Sequence, residues 1–129
     1  IACLGLGGRV RLAGHVDRPG GMLRAASIFV LPSRYEGFPN SLLEGMACGL
    51  PAVAVDCPSG PAEIIEHDHN GLLVPPEDPG ALAAALDRLM SSAGDRRRLG
   101  AEAARVLTRF DLARVAARWE AVIDEAVRA

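Results

Sequence analysis

The chain has 129 residues, half of them apolar and 23% charged, with a formal net charge of −2. That is the size and make-up of one globular domain with a real core. So nearly neutral a chain offers no electrostatic footprint for nucleic acid or an anionic membrane surface, and no apolar run is long enough to cross a bilayer. Every basic residue is Arg, and the lack of Lys removes Schiff-base chemistry and a Walker-type phosphate loop. Cys3, Cys48 and Cys57 are odd in number and lack metal-site spacing. They read as reduced, small, mostly buried residues of a cytosolic protein. Ile1-Ala2-Cys3-Leu4-Gly5-Leu6 carries no initiating Met and no signal peptide, and it resembles the tail of a helix. The chain is therefore expected to be a piece of something longer.

In chain order, apolar β-rich runs alternate with helical patterns, which predicts an α/β fold with a parallel sheet. Val10–Ala13 is a short strand candidate closed by Gly14, followed by a short helix over 20–26. Ser27–Leu31 is a near-continuous apolar run, as for a strand covered on both faces, and Pro32 ends it. A helix is predicted over 39–48, stopped by Gly49 at C′. Pro51–Val55 is a second buried strand. Ser59-Gly60-Pro61 opens a short helix to about Glu66, and Asn70-Gly71 turns the chain into strand Leu72–Val74. Asp78 caps a helix to about Ser91 with Pro79 at N1. Gly94-Asp95 separates it from a helix over 96–109, and Asp111 caps the last one. In that last helix Leu112, Val115, Ala116, Trp119, Val122, Ile123 and Ala126 share one face and are expected to dock on a partner surface.

The chemistry-bearing stretch lies after the Ser27–Leu31 strand, where parallel sheets bind ligands. Glu36 falls in the loop and Glu44 in the following helix. With Pro39 at N1, the N–H groups of Asn40, Ser41 and Leu42 are free to hold an anion such as a phosphate. Glu44 lies about 7–8 Å along the axis, and its side chain leans back toward the N-terminus. Carboxylates suit sugar hydroxyls better than phosphate, so the pattern fits a diphosphate at the helix with a sugar on each side. The competing reading makes Ser41 the N-cap and Glu44 the N3 residue of a capping box, because Ser-x-x-Glu fits that pattern too. Both readings stand on these residues alone.

Other polar groups have plainer readings. His67-Asp68-His69 precedes Asn-Gly and reads as a solvated loop, and Arg96-Arg97-Arg98 as a wet helix face. His15 is as readily an exposed turn residue as a ligand contact. Trp119 reads as a core anchor, Arg34 as a surface residue, and Glu63 as a helix-dipole partner.

The run Ser33-Arg34-Tyr35-Glu36-Gly37-Phe38-Pro39-Asn40-Ser41-Leu42-Leu43-Glu44-Gly45-Met46-Ala47-Cys48-Gly49-Leu50-Pro51 resembles the nucleotide-sugar-binding domain of retaining GT-B glycosyltransferases of family 4. So do Asp56-Cys57-Pro58-Ser59-Gly60-Pro61-Ala62-Glu63-Ile64-Ile65 and Asn70-Gly71-Leu72-Leu73-Val74; the likeness extends over about 10–119. It implies a partial Rossmann-like parallel sheet with flanking helices, the donor-binding half of a GT-B fold. Glu36 would correspond to the first Glu of the family's paired motif, contacting the donor sugar and steadying charge at its anomeric carbon. Glu44 would hold the ribose hydroxyls. Backbone amides of Gly37, Phe38, Asn40, Ser41 and Leu42 would meet sugar and phosphates, and the turn with His15 and Val16 would contact the base.

The implied reaction transfers a hexose from a nucleotide-diphosphate sugar to a saccharide or lipid-linked acceptor, with retention, without a metal or other cofactor. The setting would be bacterial polysaccharide biosynthesis in the cytoplasm, with peripheral association of the parent at the inner face of the plasma membrane. The Arg-only basic set fits a GC-rich genome. The family's N-terminal acceptor domain, the Gly-rich start of its donor domain and its diphosphate-binding basic pair have no counterpart in these residues. Losing two such phosphate contacts would weaken donor binding by about 3–6 kcal/mol, roughly 10²–10⁴-fold, so this chain alone is expected to bind donor poorly and to be inactive. Two alternatives remain at this level: a nucleotide-sugar epimerase of GT-B fold, and a non-catalytic sugar-nucleotide-binding module.

Overall fold

Ala52–Val55 (β2) is buried at every position and forms the middle of a three-stranded parallel sheet, with Phe29–Leu31 (β1) on one side and Leu72–Val74 (β3) on the other. The computed structural model describes residues 1–128. Val53 is the shared register point, opposite Val30 in β1 and Leu72 in β3. Alternation along β2 sorts its side chains to two faces. Ala52 and Ala54 join one core cluster with Leu31, Leu42, Met46, Ile64 and Val106, while Val53 and Val55 join another with Leu72, Val74, Leu89 and Leu99. A strand covered on both faces needs the continuous apolar run that this sequence provides.

The helices are α1 (Gly20–Ala25), α2 (Asn40–Ala47), α3 (Pro61–Ile64), α4 (Pro79–Ser91), α5 (Ala93–Ala103), α6 (Val106–Arg109) and α7 (Leu112–Arg128), after a 3-10 turn at Ala2–Leu4. Helix α2 ends as predicted: Gly49 takes φ 76°, and the N–H groups of Gly49 and Leu50 donate to the carbonyls of Met46 and Gly45 at 2.9 and 3.2 Å. That is a Schellman turn, which a residue with a Cβ closes less readily. Asp78 caps α4 by accepting from the Ala81 N–H at 2.9 Å, and Asp111 caps α7 through the N–H groups of Ala113 and Arg114.

Several expectations are corrected. No strand forms over 10–13: its backbone pairs with none of the three strands, and Val10 and Leu12 are exposed. An unpaired strand would leave its N–H and C=O groups without partners, so the segment stays irregular. Gly94 and Asp95 lie inside α5 rather than separating two helices, because Ser92 is the N-cap, its hydroxyl accepting from the Asp95 N–H at 3.1 Å. The predicted 96–109 helix breaks between Ala103 and Val106 into α5 and α6. Only Cys57 of the three cysteines is buried. Trp119 is 64% exposed and anchors no core among the described residues, because α7 buries no residue and of its apolar face only Val115 is half-buried. No helix is long and apolar enough to cross a membrane among the described residues.

Candidate functional site

Three parallel strands deliver three loops to the same end of the sheet: 32–39 after β1, 56–60 after β2 and 75–78 after β3. Each runs into a helix N-terminus, that of α2, α3 and α4 in turn. Ligands of open α/β sheets bind at this end, where unpaired N–H groups collect.

The first loop carries Glu36. Pro39 is the N-cap of α2 with φ −80° and ψ 82°, so the helix begins at Asn40, one residue later than predicted. The Asn40 N–H donates back to the Phe38 carbonyl at 3.0 Å, and the Leu42 N–H to the Pro39 carbonyl at 3.0 Å. Two of the three amides expected to be open are therefore engaged by the protein's own backbone. The reason is Pro39: its φ of −80° and ψ of 82° form an inverse γ-turn that brings the Asn40 N–H onto the Phe38 carbonyl, and as N-cap it offers its own carbonyl to the Leu42 N–H. The Ser41 N–H has no acceptor among the described residues, and neither have those of Gly37 and Phe38. The open amides thus fall on both sides of Pro39.

Glu44 bonds to no backbone N–H at the start of α2 among the described residues, so it caps nothing. It is exposed at a hollow of about 180 Å³ shared with Leu43, Ala47, Val106, Leu107 and Phe110. The capping-box reading fails because Pro39, not Ser41, is the N-cap. Leu42 contributes a fully buried side chain. Phe38 is half-exposed and packs on Phe110.

The second loop braces the first. The Ser59 hydroxyl donates to the Glu36 carbonyl at 2.8 Å. Gly60 at φ 97° lies so close that a Cβ there would sit 2.6 Å from Pro39 Cδ. Glu63 reaches back to the start of α3, its carboxylate accepting from the Gly60 N–H at 3.3 Å, while its own N–H donates to the Gly60 carbonyl at 3.0 Å. From sequence Ser59 is expected only to open a helix; its bond to the loop after β1 is a role beyond that. The Pro-Ser-Gly-Pro run was the available signal, since two prolines around a Gly mark a fixed turn. On the third loop, Glu77 lies 3.9 Å from Arg34, and both are exposed.

His15 and Val16 are in the exposed 10–18 segment, where the His15 ring meets Asp17 at 3.0 Å. No hydrogen bond joins them to the Glu36–Glu44 stretch among the described residues. His67, Asp68 and His69 are exposed in a turn, as expected, but the turn is tied to its neighbours. Asp68 takes guanidinium bonds from Arg88 at 2.7 Å and Arg98 at 2.8 Å, and His67 Nδ1 accepts from the Leu73 N–H at 3.1 Å. Nor is 96–98 a wet face throughout: Arg96 caps the end of α4 through the Leu89 and Met90 carbonyls, and Arg98 clamps Asp68. Among the described residues, no group of three or more His, Cys, Asp or Glu side chains is arranged to hold a metal ion.

A family model described as glycosyl transferases group 1 matches residues 1–92. The chain belongs to this family. An exopolysaccharide phosphotransferase from Streptomyces coelicolor is 43% identical over 128 residues, covering 98% of this chain and 14% of that protein. Sucrose-phosphate synthase from Thermosynechococcus elongatus superposes with a TM-score of 0.90 and 32% identity over 98% of this chain and 32% of its own. HepE from Anabaena, solved with UDP, gives a TM-score of 0.88 and 27% identity over 96% of this chain and 34% of its own. This group 1 chain therefore spans a seventh to a third of each of these three proteins. Its neighbours are GT-B glycosyltransferases, and its α/β architecture is the predicted Rossmann-like parallel sheet flanked by helices.

Proposed function

We propose that this chain binds the nucleotide-diphosphate sugar of a retaining glycosyltransferase that moves a hexose to a saccharide or lipid-linked acceptor. The observation that carries this reading is the Glu36–Ser41 turn. It sets the acceptor-free amides of Gly37, Phe38 and Ser41 at the carboxyl end of a parallel sheet, at the start of α2. In that arrangement the diphosphate sits on the amides, aided by the positive end of the α2 dipole. Glu36 faces the donor sugar and steadies positive charge as the anomeric bond breaks, while Glu44, open to solvent beside its hollow, takes the ribose hydroxyls. His15 and Val16 are assigned to the base. Departure of the diphosphate is then helped by fixed N–H dipoles, with no resident metal or other cofactor in our scheme. The acceptor is held by parts of a longer parent chain, which carries the donor domain in the cytoplasm, at the inner face of the membrane when the acceptor is lipid-linked.

The test is a ¹H–¹⁵N NMR titration of this chain with UDP, GDP and ADP, which tolerates dissociation constants of about 1 mM. The amides of Gly37, Phe38 and Ser41 are expected to shift with one of the three nucleotides. Shifts confined to other parts of the chain, or none with any nucleotide, would overturn the reading.

A further inference from the structure

We propose that Ser59 is a positioning residue of the donor site: its hydroxyl holds the Glu36 carbonyl so that the Gly37 N–H is presented to the donor. This rests on the donor reading above. The peptide unit between Glu36 and Gly37 is planar and trans, so its C=O and N–H point in opposite directions. Fixing one end aims the other. The Ser59 Oγ lies 2.8 Å from the Glu36 oxygen across 23 residues of sequence, joining the loop after β2 to the loop after β1. The Gly37 N–H, on the far side of that peptide, has no acceptor among the described residues.

A second contact keeps the two loops in register. Gly60 abuts Pro39, with the Gly37 carbonyl also 3.5 Å from where a Cβ would stand. Consecutive residues of one turn thus act on the other loop, Ser59 by a hydrogen bond at 36 and Gly60 by its approach to 37 and, too close for a side chain, to 39. The turn itself is held by the Glu63 carboxylate on the Gly60 N–H, at the start of α3.

The conformation of Ser59 makes the idea separable from simple folding. Its φ is 60°, a left-handed region that costs a residue with a Cβ and that Gly enters freely. The hydroxyl also lies 2.7 Å from the carbonyl of Pro58, so its single proton is divided between a local and a long-range acceptor. A role in shaping the turn alone would be served better by Gly. A role in holding Glu36 would be lost with Gly.

Ser59→Gly and Ser59→Ala test this in the full chain. Ser59→Gly is expected to melt at or above the wild-type temperature. The Gly37 and Phe38 amides should lose order in ¹⁵N relaxation, and the nucleoside diphosphate that binds wild type should bind about tenfold more weakly, the loss expected from one hydrogen bond. Ser59→Ala should match it in binding while melting lower. Unchanged Gly37 order and unchanged affinity in Ser59→Gly would overturn the role of Ser59 and leave the donor reading standing. Failure of UDP, GDP and ADP to shift wild-type amides would instead overturn the donor reading, and the positioning role with it.

Discussion

Phe38 and Phe110 pack ring against ring, their centroids 5.7 Å apart and their planes inclined at 58°. The tilt brings the positive edge of one ring toward the negative face of the other, a favoured aromatic geometry. Phe110 closes α6 and packs against the core cluster of Leu31 and Leu42, with the Arg109 guanidinium 5.2 Å from its ring centre. The loop that carries Glu36 is therefore held at two points: Ser59 grips it from the α3 side, and Phe110 from the junction of α6 and α7.

Phe110→Leu keeps apolar volume at the junction and removes the ring pair. The expected loss is about 0.5–1.5 kcal/mol beyond the change in buried area, read as a melting temperature lower by roughly 2–8 °C. Phe38 ring protons should lose their ring-current shift at the same time. A variant that melts with wild type and keeps those shifts would show that the pair holds nothing in solution.

Gly60→Ala should be costly for two reasons acting together, a left-handed φ of 97° and a Cβ placed 2.6 Å from Pro39 Cδ. Proline ring atoms are tied to the backbone, so the collision has to move the Glu36 loop. Gly14 is a matched control, with φ 68° and nothing within 4 Å of its Cβ position. Urea unfolding is expected to give Gly60→Ala a loss of about 2–4 kcal/mol and Gly14→Ala about 1 kcal/mol or less. Equal losses would mean that the two loops do not press on each other.

Glu44→Ala separates a ligand role from a capping role. A capping carboxylate lost from a helix start costs about 1 kcal/mol, whereas an exposed side chain away from a cap costs less than about 0.5 kcal/mol. Because Glu44 is exposed and bonds to no N–H at the start of α2 among the described residues, stability should be unchanged. Affinity for the nucleoside diphosphate should fall about 10–100-fold, the loss of a charge-assisted contact. Unchanged affinity would remove Glu44 from the site.

What could be read in the sequence was what depends on local chemistry. Val53 and Val55 announced a strand covered on both faces, Gly49 a left-handed helix end, and Asp78 with Pro79 a helix start; each is determined within a few residues. The misses depend on partners. Val10–Ala13 has strand composition but no neighbour to pair with, and Trp119 has core character but an uncovered helix face. The sequence places Glu36 in a loop and Glu44 in the following helix, as the structure does, while the engagement of Asn40 and Leu42 by their own backbone turns on the conformation of one proline, which composition does not specify. Ser59 was invisible as a site residue because its acceptor lies 23 positions away. The clamp on Asp68 is hidden in the sequence for the same reason, since Arg98 is 30 residues downstream.

That clamp gives the chain a definite acid sensitivity. Bonds from Arg88 first and Arg98 next hold the Asp68 carboxyl below its ordinary value of 3.8, and Arg88 does the same for Asp95. A carboxylate whose pKa is depressed on folding stabilises the folded state above its unfolded pKa, and the stabilisation is lost as pH falls through the folded one. Stability should therefore hold level at neutral pH, begin to fall near pH 3.8 and continue to fall below it. The surrounding groups do not cancel this trend, because the hydrogen bonds to Asp95 and Asp68 push the Arg88 pKa further up and that side chain stays charged throughout. Asp68→Asn removes one depressed carboxyl while keeping the shape of the loop. Urea midpoints measured from pH 6 to about pH 2 should show a shallower acid slope for this variant than for wild type. Added salt should narrow the gap between them, because Asp68 and Arg98 are both substantially exposed and open to screening. Parallel curves across that range would mean that the two arginines do not engage the Asp68 carboxylate in solution, and that the His67–Asn70 turn is held by its backbone bonds and by those of the His67 and Asn70 side chains.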